Sequence, residues 1–320
     1  RADWSSPPKR RGETFTVEEG PVTIAWIMSP PSSGSGGHQN LFRFIDVAER
    51  AGHRCIIYFY VNSSMVVNSI NMKEMLRESG AYPDLKAEMR MYDAEKGVGP
   101  EVQAIFATSW ETAYPSFLDE SPAKRFYFVQ DFEPSFYPQG SHALLAENTY
   151  RFGFHGITAG GWLSHKLRTE YGMETNHFDF AVNSDIYSVS NFGARREVFF
   201  YARPSTPRRG FELGILALQE LARERPDVII TLAGEHLTAD LVPFAHKSLR
   251  IMTLPELNVV YNRCVAGLVI SASNMSLLPL ELLGSGAVPV VNDAPNNRMV
   301  TDNPFIEYVA DTPAAIARKL

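Results

Sequence analysis

Short apolar runs and turn-forming clusters alternate along most of this chain. Residues 22–28 are almost continuously apolar, the pattern of a strand buried on both faces. A turn rich in Pro, Ser and Gly follows over 30–37. Leu41, Ile45 and Ala48 then recur at i, i+4 and i+7, which puts them on one face of a helix. Gly52 predicts the end of that helix and 55–60 the next strand. Strand, turn, helix and strand in this order predict a parallel sheet. Weaker copies follow: 104–107 and 126–129 read as strands, and 157–159 leads through Gly160-Gly161 into another helix. A second series opens at 198–201. Its helix carries Phe211, Ile215 and Leu218 on one face, and strands return at 228–232, 266–270 and 288–291. Between the two series, 180–195 shows no period and is rich in Asn, Ser and Gly, as a linker would be.

The expected organisation is therefore α/β. A mobile polar arm spans 1–20, with Lys9, Arg10 and Arg11 facing solvent. A Rossmann-like domain over 21–182, a linker over 183–196 and a second Rossmann-like domain over 197–320 follow, their parallel sheets facing a cleft. Composition agrees, since 45% hydrophobic and 21% charged residues in a chain of 320 exclude wholesale disorder. Thirty basic against 36 acidic residues give a net charge of −6, which supplies no broad basic face for nucleic acid. Cys55 and Cys264 lie far apart in apolar stretches, so neither a disulfide framework nor a cysteine metal site is expected. No apolar run approaches the ~18–20 residues of a transmembrane span. These features lead us to expect a cytoplasmic protein, with a solvated basic arm favoured over one that touches anionic lipid at the inner face of the membrane.

Three segments carry candidate chemistry. Gly34-Ser35-Gly36-Gly37-His38 lies between the first strand and its helix, where backbone N–H groups approach a phosphate closely and the helix dipole favours its charge. The dinucleotide pattern G-x-G-x-x-G fails at Gln39, and the second strand ends in Tyr60-Val61-Asn62 without a ribose-binding carboxylate. A nicotinamide dehydrogenase is therefore disfavoured, and a flexible connection is the other reading of this turn. The second segment, 201–210, brings Arg203, Arg208 and Arg209 to the carboxyl end of a strand, which suits a diphosphate; a solvated surface is the alternative. In the third, 276–291, Ser276 is placed to cap a helix and Pro279 to occupy its first turn. Glu281 interrupts that apolar helix, so its carboxylate needs donors: a sugar diol, or a structural arginine.

In this order the segments resemble the retaining family 4 GT-B glycosyltransferases, from about Val22 to the end of the chain. The matching residues are Gly36-Gly37, Ala202-Arg203 with Arg209-Gly210, Leu232-Ala233-Gly234-Glu235, and Pro279-Leu280-Glu281 with 284–291. The stretch 127–134 is similar to rhamnosyltransferases of bacterial polysaccharide assembly. The resemblance implies that Glu281, the second Glu of the E-x7-E motif, binds the ribose hydroxyls. It implies that Arg203 and Arg209 neutralise the diphosphate, in a loop one residue longer than usual, and that Asn274, Ser276 and Leu277 present backbone N–H groups to it. Gly36 and Gly37 would close over the same phosphates, and Gln130 stands where many members have a His near the donor sugar. Ser273 replaces the first Glu of E-x7-E, which usually meets the donor sugar. The implied donor is a dTDP- or UDP-linked hexose or 6-deoxyhexose such as rhamnose, with a glycan or lipid-linked glycan as acceptor and no further cofactor. The fold commonly ends in a helix returning to the first domain, so 197–320 is expected to be truncated before it.

Transfer builds negative charge on the leaving diphosphate, and fixed arginines and N–H groups answer it. The chain holds no D-x-D metal motif; Asp131-Phe132-Glu133 is the nearest approximation. A metal-independent site is expected, and His38, His142, His155 and His165 share no metal-ligand spacing. Asp131 and Glu133 would orient or deprotonate the acceptor hydroxyl, or else cap a turn at a strand end. Two alternatives remain: a catalytically silent nucleotide-sugar binder, encouraged by Ser273, and a nucleotide-sugar epimerase on the same fold.

Overall fold

A computed structural model describes residues 3, 6–12, 20–31, 36–61, 72, 82–238 and 240–320. Residues 32–35 of the Gly-rich turn, Asn62 and most of the arm lie outside the described residues. The chain divides into two compact units. Unit 1 comprises Arg1–Thr158 and Ser164–His177, and unit 2 comprises Ala159–Leu163 and Phe178–Leu320.

Unit 1 is built on β1 (Thr23–Met28), α1 (Gly36–Arg50), β2 (Arg54–Phe59), β3 (Glu88–Met91), β4 (Ala104–Ala107), α2 (Trp110–Leu118) and β5 (Lys124–Val129). They are followed by α3 (Ser141–Asn148), β6 (His155–Ala159), α4 (Gly161–Tyr171) and β7 (Thr175–Phe178); of these, residues Ala159–Leu163 and Phe178 belong to unit 2. The sheet order is β3-β2-β1-β4-β5-β6-β7, so the strand sequence reverses between β1 and β4. Trp26, Phe106 and Phe126 share one register across β1, β4 and β5, with ring centroids 4.3 and 4.7 Å apart. On the opposite pleat Ala25, Ile27, Ile56 and Ile105 pack with Val98 and Val102. Burial on both faces is what the continuous apolar run required.

Unit 2 repeats the plan with β8 (Glu197–Ala202), α5 (Phe211–Glu224), β9 (Ile229–Gly234), β10 (Lys247–Ser248), α6 (Leu254–Tyr261) and β11 (Cys264–Val269). Then come α7 (Leu278–Gly284), β12 (Val288–Asn292), α8 (Pro295–Arg298), β13 (Glu307–Val309) and α9 (Pro313–Lys319). Its order, β10-β9-β8-β11-β12-β13, is the same permutation. Phe211, Ile215 and Leu218 of α5 lie in one buried cluster with Val198, Phe200, Leu268 and Val290, as their spacing predicted.

Three expectations change. Helix α1 begins at Gly36, so Gly36 and Gly37 form its first turn rather than the loop before it. The stretch 183–196 has neither helix nor strand, yet it is fastened to unit 2. Tyr187 stacks on Tyr261, the Ser190 and Asn191 N–H groups donate to Asn262 Oδ1, and Arg195 Nη1 donates to the carbonyls of Tyr261, Cys264 and Ser285. Lack of period does not mean freedom, because specific polar bonds anchor backbone as firmly as an apolar stripe. Likewise Arg10 donates to the carbonyls of Phe117 and Asp119, and Arg11 pairs with Glu120 at 2.5 Å, so this part of the arm is tied to unit 1 although Lys9 and Arg11 remain exposed to solvent. Among the described residues no helix is long and apolar enough to cross a membrane.

Candidate functional site

In a doubly wound sheet the strands on either side of the order reversal leave a crevice beyond their carboxyl ends. In unit 2 those strands are β8 and β11, and the segments leaving them hold most of the candidate residues. Gly234, at the end of β9, has φ +120°, and a Cβ there would lie 2.5 Å from the Ala202 carbonyl oxygen. The Glu235 N–H donates to that same carbonyl at 3.1 Å. The Glu235 carboxylate accepts from the N–H and the hydroxyl of Ser205. The Leu232–Glu235 segment therefore holds the arginine loop in place. Gly210, with φ +61°, closes the loop: its own Cβ would stand 2.4 Å from Ile270 Cγ2. Only glycine fits both that conformation and that approach.

The two loops are joined directly. Ala272 N–H donates to the Arg208 carbonyl at 2.9 Å, and Arg209 Nη1 donates to Ser271 Oγ and to the Asn274 carbonyl. Arg203 instead is exposed, with its guanidinium 4.3 Å from the centre of the Tyr201 ring. Of the two arginines expected at a diphosphate, Arg203 offers its charge outward while Arg209 also braces the neighbouring loop.

Loop 271–274 is fixed from behind by asparagines that the sequence reading did not single out. Asn292 accepts from Ser271 N–H through Oδ1 at 2.8 Å and returns Nδ2 to the Ser271 carbonyl at 3.1 Å. Asn296 Nδ2 reaches the carbonyls of Ser271 and Ser273, and Asn297 Nδ2 donates to Asn292 O and Oδ1. Nothing in the sequence marks them, since asparagine after a strand is ordinary turn composition. Asn274 is buried and donates to the Ala159 carbonyl at 2.9 Å. Ser273 is fully buried, and its hydroxyl has no hydrogen-bond partner among the described residues.

Helix α7 starts at Leu278, with Leu277 in the cap position and no side-chain cap, so Ser276 does not cap it as expected. The chain turns into the helix one residue later, at the αR backbone of Leu277. Pro279 occupies the first turn as predicted. Glu281 is half-buried, while its neighbour Leu282 is fully buried in the core. Burial, and after it the Glu281 carboxylate, hold the fully buried Tyr261 phenol far above its ordinary pKa.

In unit 1 Gln130 receives a bond from Asn40 Nδ2 at 3.2 Å and donates Nε2 to the Gly37 carbonyl at 3.0 Å, pinning the first turn of α1 to the end of β5. His38 turns back to the Ser29 carbonyl, and burial lowers its pKa. Asp131 is buried and accepts from the Phe132 N–H. Glu133 is 4% exposed and accepts from the Trp110 N–H at 2.7 Å and the Tyr127 hydroxyl at 3.0 Å. Burial pushes its carboxyl up to about 8, against the pull of those two bonds. Oε2 takes the first N–H of α2 and Oε1 the Tyr127 hydroxyl, so both oxygens are engaged within unit 1. Among the described residues no three His, Cys, Asp or Glu side chains are grouped to hold a metal.

Residues 196–320 match the family described as WsaF, C-terminal domain, and residues 102–159 match WsaF, N-terminal domain. The O-antigen biosynthesis protein RfbC of Myxococcus xanthus is 30% identical over 310 residues, which is 93% of this chain. The chain spans only 24% of the length of that relative. Among solved structures, TarM superposes with a TM-score of 0.72 at 10% identity, covering 93% of this chain and 91% of TarM. Sucrose-phosphate synthase from Thermosynechococcus elongatus gives 0.65 at 12% identity, covering 93% and 88%. The fold is GT-B: two Rossmann-like units, each with a parallel sheet.

Proposed function

We propose that this chain is a glycosyltransferase that passes a sugar from a nucleoside diphosphate to a hydroxyl of a glycan acceptor in surface-polysaccharide assembly. The observation that carries the reading is the pair of joined loops beyond β8 and β11, where Arg209 bonds to Ser271 and Asn274 at the order reversal of unit 2; Arg203 lies on the first loop and Glu281 on the helix that follows the second. The matches to both WsaF domains and to an O-antigen biosynthesis protein support the polysaccharide setting.

In this reading the bond between the anomeric carbon and the diphosphate oxygen breaks, and its electron pair goes to the diphosphate. The acceptor oxygen forms the new glycosidic bond, and its proton passes to the departing diphosphate. Arg203, Arg209 and the N–H groups of 274–277 stabilise the charge on the leaving group. Glu281 accepts from the ribose hydroxyls. On unit 1, Gly36 and Gly37 offer N–H groups at the start of α1, Gln130 fixes them, and Asp131 orients the acceptor. The donor is UDP- or dTDP-linked, a 6-deoxyhexose such as rhamnose being the finer reading. Transfer proceeds with retention and without metal, at the cytoplasmic face of the membrane.

A thermal-shift panel of nucleoside diphosphates and their sugars tests this, because a ligand of the native state raises Tm by mass action. A shift with UDP or dTDP, and donor consumption only when acceptor is present, is the expected result. Binding without consumption identifies a silent binder, and conversion of the sugar nucleotide alone identifies an epimerase.

A further inference from the structure

Three carboxamides meet behind loop 271–274, and the ligand assignment above uses none of them. Asn292 is 6% exposed, Asn296 8% and Asn297 0%. Amides buried this deeply are costly unless their polar atoms are used. Here the bonds converge on one short stretch of backbone: the carbonyls of Ser271 and Ser273, and the Ser271 N–H.

Peptide geometry turns that grip into a direction. In a planar trans peptide the carbonyl of one residue and the N–H of the next point opposite ways. The Ser271 carbonyl faces Asn292 and Asn296, and accordingly the Ala272 N–H leaves on the other side, where it meets the Arg208 carbonyl at 2.9 Å. The Ser273 carbonyl is held by Asn296, and the Asn274 carbonyl by Arg209 and the Ser271 hydroxyl. Their partner N–H groups, on Asn274 and Met275, are therefore turned away from those contacts. Successive N–H groups held to one side form a concavity that receives an anion.

We propose that Asn292, Asn296 and Asn297 form a positioning clamp that presets the amides of this loop for the diphosphate of the donor. The inference rests on the donor reading above and adds the residues that preorganise its anion site. The clamp touches backbone rather than ligand, so its loss weakens diphosphate recognition and leaves base and ribose recognition intact.

The test is titration calorimetry on the full chain with UDP, dTDP and the matching nucleosides, together with the unliganded Tm. Asn296→Ala and Asn292→Leu are expected to weaken diphosphate binding about tenfold or more while nucleoside affinity changes by less than about twofold. Asn296→Gln keeps the donor and should recover part of the loss. If Asn292→Leu does not fold, Asn296→Ala, at the more exposed edge of the cluster, carries the comparison. A lowered Tm with unchanged diphosphate affinity, or equal losses for diphosphate and nucleoside, overturns the clamp alone. A wild type that binds neither diphosphate overturns the donor reading and the clamp with it.

Discussion

Arg209 donates through Nη1 to the Ser271 hydroxyl at 2.6 Å, and this bond ties the loop after β8 to the loop after β11. The same nitrogen reaches the Asn274 carbonyl at 2.9 Å. One guanidinium thereby holds two loops that leave the sheet on either side of its order reversal. Among the described residues Arg203 makes no comparable bond between loops, its guanidinium lying over the Tyr201 ring, which makes it the cleaner probe of ligand charge.

Arg203→Ala should weaken binding of a nucleoside diphosphate about 10- to 150-fold, since a charge-assisted hydrogen bond contributes roughly 1.5–3 kcal/mol. Nucleoside binding should barely change. Equal losses for UDP and uridine in titration calorimetry would remove Arg203 from the diphosphate site.

Glu281→Gln keeps the volume of the side chain but exchanges one acceptor oxygen for a donor. Affinity for the ribonucleotide should drop about tenfold or more. A nucleotide lacking the contacted hydroxyl should bind wild type less well and be indifferent to the substitution. Full additivity of the two changes would mean that Glu281 does not touch the ribose.

Gly210→Ala places a Cβ 2.4 Å from Ile270 Cγ2 in a left-handed backbone. The substitution should cost about 1–3 kcal/mol of stability, read as a lower urea midpoint at constant m. A midpoint equal to wild type would show that the loop junction is not held as described.

The Glu133 carboxyl, raised from 4.5 to about 8, binds its proton more tightly in the folded chain than in the unfolded one. Its contribution to stability is therefore complete below its unfolded pKa and declines as pH rises towards 8. Glu133→Gln should flatten the fall in stability between pH 5 and about 8. Superimposable pH–stability curves for variant and wild type would contradict this.

EDTA should leave sugar transfer largely unchanged. Loss of activity that Mn²⁺ or Mg²⁺ restores would place a metal in the reaction.

Much of the architecture was legible because buried parallel strands carry continuous apolar runs, as in 22–28 and 288–291, and α5 shows its core face at i, i+4 and i+7. The short β3, β7 and β10 escaped, since strands at sheet edges are half-solvated and carry no such run. In the candidate site, Arg203, Arg209 and Glu281 stood out as charges beside apolar stretches. Asn292, Asn296 and Asn297 did not, because an amide after a strand has the composition of any turn, and its value here depends on meeting a loop some twenty residues earlier in the chain. For Glu133 the sequence left two roles open, and it could not show the burial or the bonds from Trp110 and Tyr127, which join residues far apart in the chain.

To a protease, a segment is cleavable when its backbone can be drawn into an extended strand across the enzyme's cleft. By composition, 183–196 is the obvious target. Its buried Tyr187, its bonds to Asn262 and the threefold grip of Arg195 on the carbonyls of Tyr261, Cys264 and Ser285 resist that extraction. For anyone expressing unit 2 separately, a cut placed at Glu197 would remove a strap that covers its own core, and Tyr261 would lose the ring stacked against it.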